Sequence, residues 1–339
     1  MNLKFRFLLL GILAGIIALT SCKKNDSEVE TLPSMEGQLS FKLPMFAKVG
    51  DEFNLTGNEV VAPNTGVSYY WTSTSLLQDT IKGREASIVM PDSLATFTVK
   101  FLAKCSGYYE KSVSSSVTTI IPGRGHSLTG MLAPLDSIKD LRDNQWYGIT
   151  KVGNLYWFSQ NLNWAGSGQA YGRADAAGYV FGRLYSWNDA TLGKSGTGLG
   201  NGPQGVCPAG WHIPTNQDWE DLAKVLNNGV ELPFTDEWNG LGEKLMVDAS
   251  FNGTKFWPFS PNVTPLNTVR WDALSTGYSL NNYDNYASLF SYGFWWTATE
   301  KDSDSANYRY IFYNRPSCPI NYADKSSFGA SVRCVKLIK

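Results

Sequence analysis

Imidazole chemistry has two starting points in this chain, His126 and His212. A serine–histidine or cysteine–histidine relay needs its base beside a nucleophile and an orienting acid. In this chain His212 would have to carry it. Its place in Cys207-Pro208-Ala209-Gly210-Trp211-His212-Ile213-Pro214 predicts a packed structural side chain instead. Two histidines also leave no histidine cluster for a metal. Beyond Cys22, the cysteines are Cys105, Cys207, Cys318 and Cys334, with no CxxC spacing, so a zinc site or a dithiol redox pair is not expected. Four cysteines allow three full pairings, and spacing alone does not choose among them. Acidic residues are plentiful, yet no two carboxylates are set apart as an acid and base pair. The loop Glu300, Asp302 and Asp304 offers oxygens to a cation, with a solvated loop as the default reading. The expectation is no catalytic residue, no metal and no cofactor.

Binding chemistry is better represented. Thr299 to Phe328 is rich in Tyr, Asn, Ser and Arg, the mixture that gives paratopes large amphipathic contacts beside adaptable hydrogen bonds. The ligand-contact set expected from it is Tyr308, Arg309, Tyr310, Tyr313, Asn314, Arg315 and Tyr322; in the plain alternative Ile311 and Phe312 are buried beneath. These rings could stack on sugar faces or anchor a protein; the plain alternative is the surface of an exposed sheet. Formal net charge is −1 with no basic run, so nucleic acid has no electrostatic footprint here.

The elements that must hold such residues follow from the patterning. Lys4 and Arg6 precede an apolar run, Phe7 to Leu19, too short to span a bilayer and shaped like a secretory signal. It ends at Leu19-Thr20-Ser21-Cys22, which resembles the lipobox of bacterial lipoproteins, whose cysteine is diacylated and becomes residue one. That implies a signal peptide over 1–21 and a lipid anchor on Cys22, durable because two or more chains hold far better than one. Residues 22–36 form a polar tether, and Lys23 to Glu30 resembles the surface-export signals of Bacteroidetes lipoproteins. The implied address is the outer membrane, lipid-anchored, with the chain exposed at the cell surface. Across 37–122, short alternating runs predict an all-β, immunoglobulin-like or PKD-like sandwich. The clearest run is Phe97, Val99, Phe101, Ala103 and Cys105, and Trp71 is expected in the core. Ile121 to Gly125 is a linker, and eleven of the 12 tryptophans lie beyond it. There, Trp146 to Val152, Tyr156 to Ser159, Tyr308 to Tyr313 and Ser331 to Ile338 read as strands, and Gly193 to Gly205 as irregular chain. Thr215 with Asp218 forms a capping box opening a helix whose stripe is Trp219, Leu222, Ala223 and Leu226; Asn227-Asn228-Gly229 stops it.

Three stretches of the second half carry a resemblance. They are Lys139 to Leu162 (KDLRDNQWYGITKVGNLYWFSQNL), the block Cys207 to Pro214 running on to Trp219, and Gly293 to Glu300 with the closing Gly329 to Lys336 (GASVRCVK). In this order they resemble the Fibrobacter succinogenes major paralogous domain over residues 127–339. The resemblance implies an α+β, C-type-lectin-like fold and a disulfide between Cys207 and Cys334. For Cys318 it supplies no counterpart; a buried thiol is favoured over a bond to Cys105. Trp187-Asn188-Asp189 spells the tripeptide of calcium-dependent lectins but precedes Cys207 and lacks the partner motifs, so it is read as coincidence. Lectin-like folds are also similar to formylglycine-generating enzymes, which need a close reactive cysteine pair; Cys318 and Cys334 are the nearest here. The expected function is a non-catalytic adhesion or ligand-binding module for glycan or protein. The alternatives are a structural subunit of an envelope or pilus-like assembly and, less favoured, an enzyme of that related fold.

Overall fold

The computed structural model describes residues 31–122 and 127–339. Cys22, with the signal and most of the tether, and His126 lie outside the described residues. No helix among those described is long and apolar enough to cross a membrane. The chain is mostly β, arranged in several sheets.

In the first part, a five-stranded sheet runs in the order Phe46–Lys48, Lys111–Ile120, Thr96–Lys104, Ser68–Ser73, Ile81–Lys82. Alternation puts Phe97, Val99, Phe101 and Ala103 inside, while Thr98 and Lys104 face out. Trp71 is fully buried, its ring 4.5 Å from Phe101 and 5.1 Å from Phe41. Two antiparallel pairs, Glu36–Ser40 with Asn58–Ala62 and Glu52–Thr56 with Glu85–Val89, complete this part. None of its strands pairs with a strand beyond residue 127. The two parts nevertheless touch. Phe46 sits 5.3 Å from the Phe181 ring and 6.0 Å from Phe251, and Asn252 Nδ2 donates to Thr96 Oγ1 at 3.3 Å.

The second part holds three further sheets, the smallest built from the short strands Leu128–Thr129, Ser250–Phe251 and Thr254–Lys255. One is four-stranded: β1 (Asp136–Lys139), β2 (Trp146–Val152), β3 (Leu155–Phe158) and the terminal β12 (Val335–Leu337). The larger runs through β4 (Gln169–Ala170), β5 (Arg183–Ser186), β11 (Gly329–Ser331), β6 (Thr276–Leu280), β8 (Tyr292–Glu300), β9 (Ser305–Phe312) and β10 (Ile320–Asp324). Beside it, β7 (Asn285–Leu289) pairs with β6. β11 lies close against β6 because Gly329 has no side chain: a Cβ there would strike Ser279 Oγ. A short helix α1 (Trp187–Thr191) follows β5, and α2 spans Asn216–Leu226.

α2 opens as its sequence predicts, with Thr215 and Asp218 exchanging both bonds of the capping box. Its stripe of Trp219, Leu222, Ala223 and Leu226 is buried, and Trp219 packs 5.2 Å from Trp157 and 5.6 Å from Trp271. The carboxylate of Asp218, fully buried, also accepts from Gly200 N at 2.7 Å, tying the irregular 193–205 segment to the helix.

Candidate functional site

The residues expected to contact a ligand do not form one patch. β8 and β9 are antiparallel, with Tyr292 opposite Phe312, Phe294 opposite Tyr310 and Trp296 opposite Tyr308. Side chains two apart share a sheet face, and directly opposed pairs touch. Six rings therefore line one face, while Gly293, Trp295, Arg309 and Ile311 point to the other. The Tyr292 and Phe312 rings stack at 4.1 Å, Tyr292 and Phe294 at 5.5 Å, and Phe294 and Tyr310 at 5.8 Å. Tyr278 from β6 joins edge-on, 5.1 Å from Phe294, and Phe328 stacks 5.2 Å from Tyr308. The array runs from core to surface. Trp296, Phe294 and Tyr308 are buried, whereas Tyr278, Tyr292, Tyr310 and Phe312 are half-buried and present ring to solvent.

Two expected contacts are corrected by this geometry. Tyr308 is 7% exposed and belongs to the core end of the array. Arg309 is 0% exposed on the opposite face, since adjacent residues of a strand alternate. Its Nη1 donates to the carbonyls of Asp236 and Cys318, both at 2.7 Å, and Nη2 to that of Phe234, with the guanidinium 3.3 Å from the Trp238 ring centroid. Burial lowers its pKa to about 10. It is an internal brace and unavailable to a ligand. Phe312, buried in the plain alternative, is half-buried in the array instead.

The rest of the set is dispersed. Tyr313 lines a separate groove with Trp257, Phe259 and Pro265, and Phe259 is 90% exposed. Asn314 and Arg315 are exposed in the turn after β9, and Tyr322 on β10 lies beneath Lys301 Nζ at 3.0 Å from its ring centroid. Sequence reading missed Tyr278 and Tyr292, which come from two strands outside the stretch singled out by composition. The register of β8 against β9 reveals Tyr292, and the parallel pairing of β6 with β8 reveals Tyr278.

Behind the array the chain is clasped. Cys207 and Cys334 form a disulfide across a separation of 127 residues, both fully buried. His212 N donates to Val335 O and Val335 N to His212 O, each at 2.9 Å, so the Cys207–Pro214 block is stitched to the terminal strand. Arg333, between them in sequence, is fully buried with four bonds: Nε to Asn161 Oδ1 at 2.7 Å, Nη1 to the carbonyls of Trp271 at 2.6 Å and Phe158 at 3.1 Å, and Nη2 to Asp272 O at 2.9 Å. These are the segments that carry the family signature. A comparison with known families matches residues 150–336 to the Fibrobacter succinogenes major domain.

The chain belongs to the Fibrobacter succinogenes major domain family. Searches of curated proteins and of solved structures return no match. The matched span of this Fibrobacter domain contains the clasp, α2 and every ring of the aromatic array.

Within the Fibrobacter domain the groups considered for chemistry are spent on structure. His212 is 8% exposed, and its Nε2 lies 3.3 Å from Asp218 Oδ2. Cys334 is committed to Cys207, and Cys318 is a buried free thiol whose pKa burial pushes up to about 12, so it stays protonated. Cys105 is free and half-buried, so the two remaining cysteines are not joined. Asp302 Oδ1 accepts from Asp304 N and Ser305 N, holding the acidic turn, and Glu300 pairs with Lys325 at 2.7 Å. Among the described residues, no group of three or more His, Cys, Asp or Glu is placed to hold a metal.

The buried phenols give one pH prediction. Burial raises the pKa of Tyr147, Tyr185 and Tyr283, and pushes Tyr308 up to about 12. An unfolded phenol ionises near ~10, so the unfolded chain loses these protons first. Their stabilisation is fully present below pH ~10 and is lost as pH rises toward Tyr308's folded value. Phenolate absorbance across an alkaline titration should show exposed tyrosines ionising first, then the buried ones in a cooperative step coincident with loss of circular dichroism. A single smooth phenolate curve with the fold intact would contradict this.

Proposed function

We propose that this protein is a lipid-anchored surface protein of the bacterial outer membrane whose Fibrobacter domain binds a ligand without transforming it. The observation that carries the binding reading is the array of Tyr278, Tyr292, Tyr310 and Phe312, four half-buried rings side by side on one sheet face. Contiguous apolar surface of this kind marks interaction sites. Rings already held by their neighbours lose little entropy on binding, and Tyr adds a hydroxyl at the rim. The disulfide supports an extracytoplasmic address, where such bonds persist. We assign the first part to an immunoglobulin-like sandwich that carries the domain outward, and the domain itself to a C-type-lectin-like α+β fold. The pairing of β3 with β12 and the flanking α2 support the latter.

Ligand capture is tested on a combined glycan and matrix-protein array with the exported chain. Tyr310→Ala and Phe312→Ala should each weaken binding about tenfold, the loss of roughly 1.5 kcal/mol per stacked ring, with the fold retained and only a small fall in melting temperature. Tyr308→Ala is unsuitable, because this ring is core. Array binding indifferent to both substitutions would remove the aromatic face as the site.

A structural-subunit reading has one observation in its favour. β10 is the last strand of the larger sheet and pairs on one side only, to β9, leaving an edge that another strand could extend. It predicts concentration-dependent assembly abolished by Tyr322→Pro, which removes an N–H turned away from β9, and the ligand reading does not.

A further inference from the structure

A second concavity lies apart from the aromatic array, in a cavity of about 670 Å³ between the 165–169 loop, β5, α1 and the β6–β7 turn. Its wall is polar: Ser167, Gln169, Arg183, Asp189, Asn282 and Tyr283, with Arg173 and Asp175 at the margin. We infer that this cavity binds a neutral saccharide through hydrogen bonds. The inference deepens the ligand-binding reading and rests on it, naming a chemical class and a separate place.

Charge selects against ions. Arg183 Nη2 is 2.6 Å from Asp175 Oδ1, and Arg173 Nη2 is 2.7 Å from Asp284 Oδ1. Each guanidinium thus has its own carboxylate, and Asp189 would repel an anion. A cation would have to displace the Tyr283 hydroxyl that already donates to Asp189 Oδ2. An apolar ligand would strip water from this wall and return no hydrogen bonds. Vicinal hydroxyls both donate and accept, which is what a mixed wall of carboxylate, amide, hydroxyl and guanidinium can satisfy. The volume falls within the range of small-molecule sites, about 300–1,000 Å³.

The wall is also incompletely bonded and held under backbone strain. Arg183 is 7% exposed, yet its Nε has no protein partner among the described residues, and neither does Ser167 Oγ. Arg333, by contrast, has all three guanidinium nitrogens bonded. Buried polar groups left short of partners are rare enough to need an explanation. Asn281, Asn282 and Tyr283 have φ of 53°, 54° and 68°, the one run of three consecutive left-handed non-glycine residues among those described. A buried aromatic in that region is costly, and such strain concentrates at ligand clamps. It is locked from three sides. Tyr283 OH donates to Asp189 Oδ2 at 2.7 Å and accepts from Ser186 N at 2.7 Å, and Arg173 Nε donates to Tyr283 O at 2.9 Å. The rigid placement of Asp189 and Asn282 that results is the preorganisation a weak, polar ligand requires. Gly168, at φ +66°, lets the opposite loop approach, since a Cβ there would meet Leu184 O at 2.6 Å.

The test is titration of the exported chain with glucose, galactose, mannose and N-acetylglucosamine, and with glucuronate as the anionic probe, read by saturation-transfer NMR. At least one neutral sugar should bind saturably and exceed glucuronate. Asp189→Asn, which keeps the shape, and Asn282→Gly, which suits the left-handed backbone, should each weaken it about tenfold or more, with melting temperature retained. Stronger binding of glucuronate, or no neutral sugar bound at millimolar concentration, overturns the inference. So does sugar binding that survives both substitutions yet falls in Tyr310→Ala, but that outcome upholds the aromatic face. Loss of array binding in Tyr310→Ala alongside an empty cavity would likewise sink this inference and leave the proposed function standing.

Discussion

Arg333→Met should lower stability by about 3–5 kcal/mol, the loss expected when one member of a buried, charge-assisted network is removed. Methionine fills the volume but donates nothing. The carbonyls of Phe158, Trp271 and Asp272 would each lose a donor, in a core where Trp271 is also fully buried. Asn161 would lose one of two donors to its Oδ1, the other being Trp295 Nε1 at 2.9 Å. Against a total of about 5–15 kcal/mol for a domain, that is a large share of the stability. Arg333→Lys should recover only part, because a compact ammonium cannot span acceptors that a guanidinium reaches in three directions. Asn161→Ala combined with Arg333→Met should cost less than the sum of the two, since both dismantle one network. Urea midpoints of the wild-type protein, the three single variants and the double variant check this. A cost below about 1 kcal/mol for Arg333→Met would contradict the role given to the network.

Removing the clasp should have an effect of similar size. Closing a loop across 127 residues restricts the unfolded chain by an amount the chain-entropy account puts at about 4–5 kcal/mol. Replacing Cys207 and Cys334 together by Ala should therefore lower the unfolding free energy by about 2–5 kcal/mol, the range for native disulfides. Both sulfurs are buried beside Trp211 and Val332 in one apolar cluster, so a reductant should act slowly on the folded chain and quickly once denaturant opens it. Equal denaturation midpoints for oxidised and doubly substituted protein would refute the stapling role.

Local chemistry was legible in the sequence wherever it is decided locally. Thr215 and Asp218 announce the capping box because both partners lie within one turn, and the alternation from Phe97 to Ala103 announces a half-buried strand for the same reason. Arg309 was misassigned because composition cannot report parity. Tyr308 and Tyr310 share a face, and the residue between them must point to the other. The aromatic array was only half visible, since Tyr292 joins it through the register of the β8–β9 hairpin and Tyr278 through the packing of β6 beside β8. The polar cavity was not visible at all. Its wall comes from residues 165–189 and 282–283, which only the tertiary fold brings together, and its left-handed run carries two asparagines but no glycine.

The claim that the aromatic face meets the ligand is tested most directly by hydroxyl-radical footprinting of the protein, with and without a ligand taken from the array. Tyr292, Tyr310 and Phe312 should be protected by bound ligand, while Tyr322 and Phe259, which are exposed elsewhere, keep their reactivity. Protection of Phe259 or Tyr322 with the three array rings unchanged would place the ligand on another surface and contradict the account.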